Sequence, residues 1–189
     1  MARPLSEEKR EAILAAAVEQ VAAQGTGAPT ARIAKQAGVS EGTLFTYFPT
    51  KDDLINQLFL QIEAELAAAL LDGYPAEGSP QDRTRHLWNG LIDWGAANPA
   101  KRKAIRQLKV SERVSEDSRC RASDLFRDIV ERLDGNLSGH AAPEYDAAYI
   151  SAILDTLAET TLEFIMRQPE KREHYKRTGF DTFWRGIAP

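Results

Sequence analysis

Residues 30–51 read TARIAKQAGVSEGTLFTYFPTK, which has the pattern of two short helices joined by a tight turn. Thr30 suits the N-cap of the first helix, and Gly38 suits the left-handed conformation that ends many helices. Ser40 has the position of a second N-cap, and Pro49 cannot continue the helix that follows. The segment therefore predicts a helix-turn-helix.

The second helix of this segment is predicted to present an exposed face that fits the major groove of DNA. Leu44 and Phe48 are four residues apart and are expected to face inward. The first turn carries only small or polar side chains, so nothing there blocks close approach to a base pair. Glu41 has two readings, since its carboxylate either accepts a hydrogen bond from cytosine or favours the helix N-terminus.

Further contacts to DNA are expected at the starts of the neighbouring helices. Lys51 stands where a new helix begins, and its ammonium and the free amides there suit a phosphate group. Thr30 and Arg32 lie at the start of the second helix, two helices earlier, and are expected to contact phosphate in the same way. The predicted DNA contacts are Thr30, Arg32, Ser40, Glu41, Gly42, Thr43, Thr46, Tyr47 and Lys51.

A known family shares this segment. Residues 34–54 fit A-x-x-A-G-V-S-x-G-T-L-[YF]-x-[YH]-F-x-[ST]-K-[ED]-x-L, and the chain thereby resembles the DNA-binding domain of the tetracycline-repressor (TetR) family. The detailed resemblance covers Ser6 to about Leu71. Relatives often have Tyr where this chain has Phe45, so a hydroxyl contact to phosphate is expected to be absent here. The resemblance implies a dimer and a C-terminal inducer domain with a cavity.

The composition is that of an ordinary globular protein of 189 residues, with 43% apolar and 28% charged residues. The net charge of -4 is unevenly distributed. Through Lys51 there are six basic and five acidic side chains, and the rest of the chain has eighteen basic and twenty-three acidic ones. The acidity therefore lies away from the predicted DNA-binding segment.

Cellular location is predicted from what the sequence lacks. Cys120 is the single cysteine, which excludes an internal disulfide and fits a reducing compartment. No apolar run approaches the roughly 20 residues that span a membrane, and the N-terminus lacks the apolar region of a signal peptide. We expect a cytoplasmic protein with no membrane partner.

Helical periodicity extends along the whole chain and predicts an all-α fold. A first helix is expected from Ser6 to about Gln24, and a connecting helix capped by Thr50 with Asp53 is expected to reach about Leu71. A Gly- and Pro-rich break follows at residues 72–80. Further helices are predicted at residues 81–97, 100–113, 116–134, 143–167 and 170–186. The predicted domains are a DNA-binding domain at 1–50, a connecting helix at 51–72 and a C-terminal domain at 73–189.

Enzymatic chemistry is not indicated. The three histidines have no metal-ligand spacing, and Glu170 with His174 is more typical of a surface pair. Neither a phosphate-binding glycine loop, a nucleophile elbow nor a Cys-x-x-Cys pair occurs. We therefore predict no catalytic residue, no metal, no cofactor and no enzymatic activity.

Six basic residues between 101 and 113 have two interpretations. They resemble a second nucleic-acid patch, but charge runs on helices are more often solvated faces balanced by nearby acids, which is the interpretation we favour. The six are Lys101, Arg102, Lys103, Arg106, Lys109 and Arg113.

The long helix at 143–167 combines an apolar stripe with polar residues. Buried polar groups must be hydrogen-bonded, either to a ligand or to a partner subunit. Given the inducer domain that the resemblance implies, the predicted ligand-binding residues are Trp88, Ile92, Phe126, Thr156, Glu159 and Thr160. The predicted dimer interface comprises Ile150, Ile153, Leu154, Leu157, Thr161, Phe164, Ile165, Phe180, Phe183 and Trp184.

Two functions of different classes follow. The first is a homodimeric transcriptional regulator, in the first place a repressor, that binds a palindromic operator and responds to an unidentified small-molecule effector. The alternative is a helical protein-interaction module that retains a vestigial helix-turn-helix.

Overall fold

The computed structural model describes residues 6–142 and 145–187, and within those ranges it contains nine α-helices and no strand. This confirms the predicted all-α class. Two short 3-10 helices lie at Gly25–Gly27 and Pro169–Lys171. The α-helices are α1 (Glu7–Gln24), α2 (Thr30–Gln36), α3 (Glu41–Tyr47), α4 (Lys51–Leu71), α5 (Pro80–Ala97), α6 (Pro99–Lys109), α7 (Glu116–Leu137), α8 (Ala147–Arg167) and α9 (Arg172–Gly186).

The chain forms two compact units. The first comprises residues up to Ala64 together with Asn98–Ser123, and the second comprises Glu65–Ala97 together with residues from Asp124 onward. Helices α4 and α7 contribute residues to both. The functional domains predicted from the sequence remain predictions, because compactness alone does not assign a function to a segment.

The first unit is built around α1. Its apolar face includes Ile13, Ala17 and Val21, all fully buried. Helix α6 packs against α1 and is strongly amphipathic, since Ala104 and Leu108 are fully buried while most of its basic side chains lie on the other face. Burial of these apolar side chains supplies the main stabilisation of the unit, at about 25 cal/mol per Å² of apolar surface.

Two caps predicted from the sequence, at Thr50 and at Gly38, are confirmed, and Ser6 provides a further one. The hydroxyl of Ser6 accepts a 3.4 Å hydrogen bond from the amide of Lys9 at the start of α1. Thr50 and Asp53 exchange hydrogen bonds of 3.0 Å between side chain and backbone at the start of α4, which is a capping box. Gly38 ends α2 with a φ of 70°, a conformation that glycine adopts at little cost.

The second unit has a core of aromatic and branched side chains from α5, α8 and α9. Trp88 and Phe180 are fully buried in it, and the indole Nε1 of Trp88 donates a 2.9 Å hydrogen bond to the carbonyl of Lys176. Gly179 allows α9 to approach this core closely. A Cβ at Gly179 would lie 2.5 Å from Oγ1 of Thr161 and 2.7 Å from Cζ2 of Trp88.

An ion cluster also links α5 to α9. Oδ1 of Asp93 accepts hydrogen bonds of 2.8 Å from Arg172 and 2.7 Å from Lys176. Burial alone would raise the pKa of Asp93, but the hydrogen bonds from Lys176 and Arg172 outweigh that effect and lower it. The carboxylate therefore stays ionised and keeps both cations in place at neutral pH.

Three helix boundaries differ from the prediction. Helix α6 ends at Lys109 rather than near residue 113, because Arg119 donates hydrogen bonds to the carbonyls of Lys109 and Ser111. Helix α7 continues through Gly135, where an isolated glycine costs only about 1 kcal/mol. Helix α8 begins at Ala147, since Asp146 caps it, and the predicted start at residue 143 lies outside the described residues.

Helix α4 corrects the expectation that no apolar run has the length of a membrane span. It has 21 residues, and a window of 18 reaches a mean hydropathy of 1.3, so length and composition alone would let it cross a bilayer. Half of that window is buried inside the protein, as in the core helix of a globular protein.

Candidate nucleic-acid interface

Helices α2 and α3 form the predicted helix-turn-helix within the first unit. Leu44 and Phe48 are fully buried, as their spacing predicts, and Ile33 of α2 is 1% exposed. Ser40 precedes α3 in an extended conformation, and its hydroxyl accepts a 3.1 Å hydrogen bond from the amide of Thr43. The same hydroxyl lies 2.9 Å from Oγ1 of Thr43. Ser40 and Thr43 thus fix the first turn of α3.

The cap of α2 differs from the prediction. Pro29, in extended conformation, is the N-cap, and Thr30 is the first helical residue. The hydroxyl of Thr30 instead donates a 2.6 Å hydrogen bond to Oε1 of Glu41 at the start of α3. This bond joins the two helices and uses one of the oxygens that a base could contact. Arg32, exposed on α2, donates a 3.0 Å hydrogen bond to Gln24.

The outer surface of α3 is open. Gly42 is exposed, and a Cβ there would meet only Oγ of Ser40, at 4.0 Å. Thr46 is exposed, and its hydroxyl donates a 3.0 Å hydrogen bond to the carbonyl of Gly42. Phe45 is 38% exposed, so an aromatic ring lies on the same short helix. The exposed groups on α3 are therefore the backbone at Gly42, the methyl and hydroxyl groups of Thr46, and the aromatic ring of Phe45.

Tyr47, one of the predicted DNA contacts, is half-buried. Its hydroxyl accepts a 2.9 Å hydrogen bond from the amide of Ser6, the N-cap of α1. Such a hydroxyl keeps its own proton for a second partner. Tyr47 therefore holds the start of α1 beside α3 and remains able to donate to a phosphate oxygen.

Replacing Tyr47 with Phe removes the hydroxyl that serves both roles, and two assays measure their separate effects. Loss of the acceptor for the Ser6 amide is expected to cost about 1 kcal/mol of unfolding free energy. If the hydroxyl also donates to phosphate, DNA affinity falls as well. Chemical denaturation and a mobility-shift titration measure the two effects, with Tyr145→Phe in the second unit as the control. Unchanged stability would contradict the observed bond.

Lys51 begins α4, the helix after α3, and two charged side chains, Arg113 and Asp52, influence it. Partial burial lowers the pKa of Lys51, and the positive charge of Arg113 lowers it further against the opposing charge of Asp52. Nη1 of Arg113 lies 2.6 Å from Oδ1 of Asp52. The sequence pattern did not associate Arg113 with this site, because 61 residues separate it from Asp52.

The residues predicted to bind a ligand fall into two groups in the second unit. Trp88 and Ile92 are fully buried core residues, and Phe126 packs against the same core. Thr156 and Thr160 are exposed, and their hydroxyls donate to carbonyls one helical turn earlier. The half-buried Glu159 lies between these two threonines in sequence. A shared ligand site for both groups remains a prediction.

The residues predicted to form a dimer interface also divide. Phe164 is 42% exposed, and Ile153, Leu157 and Trp184 are partly exposed. The other six are buried within the second unit's own core, which periodicity alone cannot distinguish from a subunit interface. These are Ile150, Leu154, Thr161, Ile165, Phe180 and Phe183.

Comparisons with known proteins agree with this geometry. The sequence profile of bacterial regulatory proteins of the tetR family matches residues 13–58, which contain α2, the turn and α3. A solved structure described as a tetR family transcription regulator from Shewanella sp. PV-4 is 28% identical, with a TM-score of 0.82 over 96% of this chain and 98% of that one.

Two curated relatives are named nucleoid occlusion factor SlmA. The one from Mannheimia succiniciproducens is 28% identical over 85% of this chain and 75% of its own length. The one from Haemophilus influenzae is 33% identical over 37% of this chain, and the match spans about a third of that relative, 32%. The helix-turn-helix, the all-α architecture and these likenesses agree, and residues 13–58 form a DNA-binding domain of the tetR family of bacterial regulatory proteins.

Proposed function

We propose that the protein is a homodimeric transcriptional regulator that binds a palindromic operator and responds to a small-molecule effector. The open first turn of α3 carries this proposal. Gly42 is exposed and has free space around it, while Ser40 and Thr43 fix the turn. A helix presented in this way can bring its backbone and short side chains against base edges in the major groove.

Phosphate contacts would orient this helix. Thr30 and Arg32 lie at the start of α2, and Lys51 lies at the start of α4. Such contacts supply most of the affinity for DNA and little of the sequence preference. The nearly balanced charge of the first 51 residues favours a few placed contacts over a general basic surface.

Exposed apolar side chains on α8 support the homodimer. Phe164 and Met166 are 42% and 48% exposed, and Ile153 and Leu157 are partly exposed on the same helix. Association through a two-fold axis would bury them and place two reading helices about 34–36 Å apart, which fits successive major grooves. An inverted-repeat operator follows from that symmetry.

An effector would act by binding the DNA-competent and DNA-incompetent states with different affinities. The second unit is the proposed effector domain, and the polar face of α8 at Thr156, Glu159 and Thr160 offers hydrogen-bonding groups. Native mass spectrometry of the purified protein would detect a small molecule that copurifies with it.

Light scattering and a mobility-shift titration on DNA from upstream of its own gene test the regulator. We expect a dimer at micromolar concentration, specific binding, and loss of binding on Lys51→Ala. Lys171→Ala, which removes an exposed lysine of the second unit, is the matched control. A protein that is monomeric at micromolar concentration and does not bind the DNA would overturn the proposal.

The name shared by the SlmA relatives suggests a second candidate, a role in nucleoid occlusion. The observation that favours it is the 28% identity over 85% of this chain, which includes residues of both units. Deletion of the gene separates the candidates. A regulator would change transcription of genes beside its binding sites, whereas a nucleoid occlusion factor would change where cells divide relative to the chromosome.

A further inference from the structure

The structure disperses the six basic residues at positions 101–113, and only one of them joins the proposed DNA contacts. Arg102 is 8% exposed and thus belongs to the interior. Nζ of Lys109 lies 3.6 Å from Oε1 of the buried Glu63. Arg113 instead reaches the first turn of α4, beside Lys51. The six basic residues therefore do not all lie on one solvated face.

The loop that carries Arg113 is held firmly against α4. Nδ2 of Asn56 donates a 2.9 Å hydrogen bond to the carbonyl of Arg113, and Oδ1 of Asn56 accepts bonds of 2.9 and 3.0 Å from the amide and hydroxyl of Ser115. The backbone on both sides of Val114 is thus tied to the side chain of Asn56. This anchoring of the backbone does not involve the guanidinium, which instead donates a 2.6 Å hydrogen bond to Asp52.

The side chain of Arg113 is 45% exposed, and its guanidinium brings a second cation to the start of α4. Arg113 is ion-paired with Asp52, the residue that follows Lys51, and after partial burial its positive charge is the second cause of the lowered pKa of Lys51. The negative charge of Asp52 offsets the repulsion between Lys51 and Arg113. Asp52 is itself 59% exposed, so the ion pair with Arg113 remains accessible to solvent. The other nearby carboxylate, Asp53, is occupied by the amide and hydroxyl of Thr50.

We propose that Arg113 is a second phosphate-binding residue, which together with Lys51 holds one backbone phosphate of the bound DNA. The proposal rests on the DNA-binding function proposed above. A phosphate offers several acceptor oxygens, so the planar guanidinium and the ammonium can bind it together. Asp52 then orients Arg113 in the free protein, and its negative charge weakens the binding of phosphate.

Filter binding at several salt concentrations tests this role, with a 30-base-pair duplex enriched from a random pool by the unmodified protein and a scrambled duplex of equal length. Arg113→Gln is expected to weaken binding to both duplexes about tenfold and to reduce the slope of log K against log salt by about 1 per protomer. Arg113→Lys keeps the positive charge and should therefore leave the slope of log K against log salt unchanged. Lys103→Gln, which removes an exposed charge from α6, is the matched control.

Asp52→Asn distinguishes a phosphate contact by Arg113 from a purely structural role, in which Arg113 acts as a latch through its ion pair with Asp52. It removes the ion pair but keeps the cation, so a phosphate contact predicts unchanged or tighter binding, whereas a latch predicts the same loss as Arg113→Gln. The proposal would be overturned if Asp52→Asn and Arg113→Gln lost the same DNA affinity. It would also be overturned if Arg113→Gln bound DNA as tightly as the unmodified protein while Lys51→Gln bound it more weakly. If the unmodified protein bound no duplex, the DNA-binding function itself would fail together with the role of Arg113.

Discussion

Replacing Gly42 with Glu is expected to leave the fold intact and to abolish specific DNA binding. A Cβ at this position meets no atom closer than 4.0 Å, and glycine in a helix is less favourable than other residues by up to about 1 kcal/mol. The stability should therefore stay equal or rise slightly. In the complex, the new side chain would stand between α3 and the base pairs and carry a negative charge toward the phosphates.

The expected loss of affinity is at least about 100-fold, because each disrupted base contact costs about 1–3 kcal/mol and a dimer has two copies. A mobility-shift titration measures the loss, and thermal unfolding confirms the fold. Gly135→Glu makes the same charge change in α7, where a Cβ meets nothing within 4 Å, and should bind normally. Equal binding by the Gly42 and Gly135 variants would exclude α3 as the reading helix.

Gly179→Ala is expected to destabilise the second unit, although alanine is the better helix former by about 1 kcal/mol. The added methyl would lie 2.7 Å from Cζ2 of Trp88 and 2.5 Å from Oγ1 of Thr161. Both side chains are buried, and the hydrogen bond from Trp88 to the carbonyl of Lys176 restricts any shift of the indole. Overpacking of this kind costs about 1–3 kcal/mol.

Calorimetry is expected to show a melting temperature lower by about 2–4 °C for each kcal/mol lost. Gly135→Ala is the matched control, since its methyl enters open space and should stabilise α7 by about 0.5–1 kcal/mol. A rise in melting temperature for both variants would show that α9 can move away from Trp88 at little cost.

The helix-turn-helix was predictable because its signals are local. The cap at Ser40, the left-handed Gly38 and the inward pair Leu44 and Phe48 each act within a few residues, and all three are confirmed. The family resemblance rests on the same residues. Thr30 failed as a cap because its hydroxyl bonds instead to Glu41, a partner eleven residues away that no local pattern specifies.

Three features were not predictable from the sequence because they depend on tertiary contacts: the end of α6, the position of Arg113 and the burial of individual residues on α8. The end of α6 depends on Arg119, ten residues beyond Lys109. The place of Arg113 depends on Asn56 and Asp52, which lie 57 and 61 residues away. The apolar stripe of α8 was predictable, but periodicity cannot separate Leu154, buried in the core, from Phe164, exposed on the surface. Both occupy apolar positions of one helix.

The most direct measurement is selection of DNA from a random duplex pool by the purified full-length protein, followed by sequencing. A homodimer that reads the major groove with α3 should enrich an inverted repeat whose half-sites are centred about 10–10.5 base pairs apart, one turn of DNA. The Gly42→Glu variant should enrich nothing. A pool that stays random with the unmodified protein, or an equal enrichment by both proteins, would contradict operator recognition through α3.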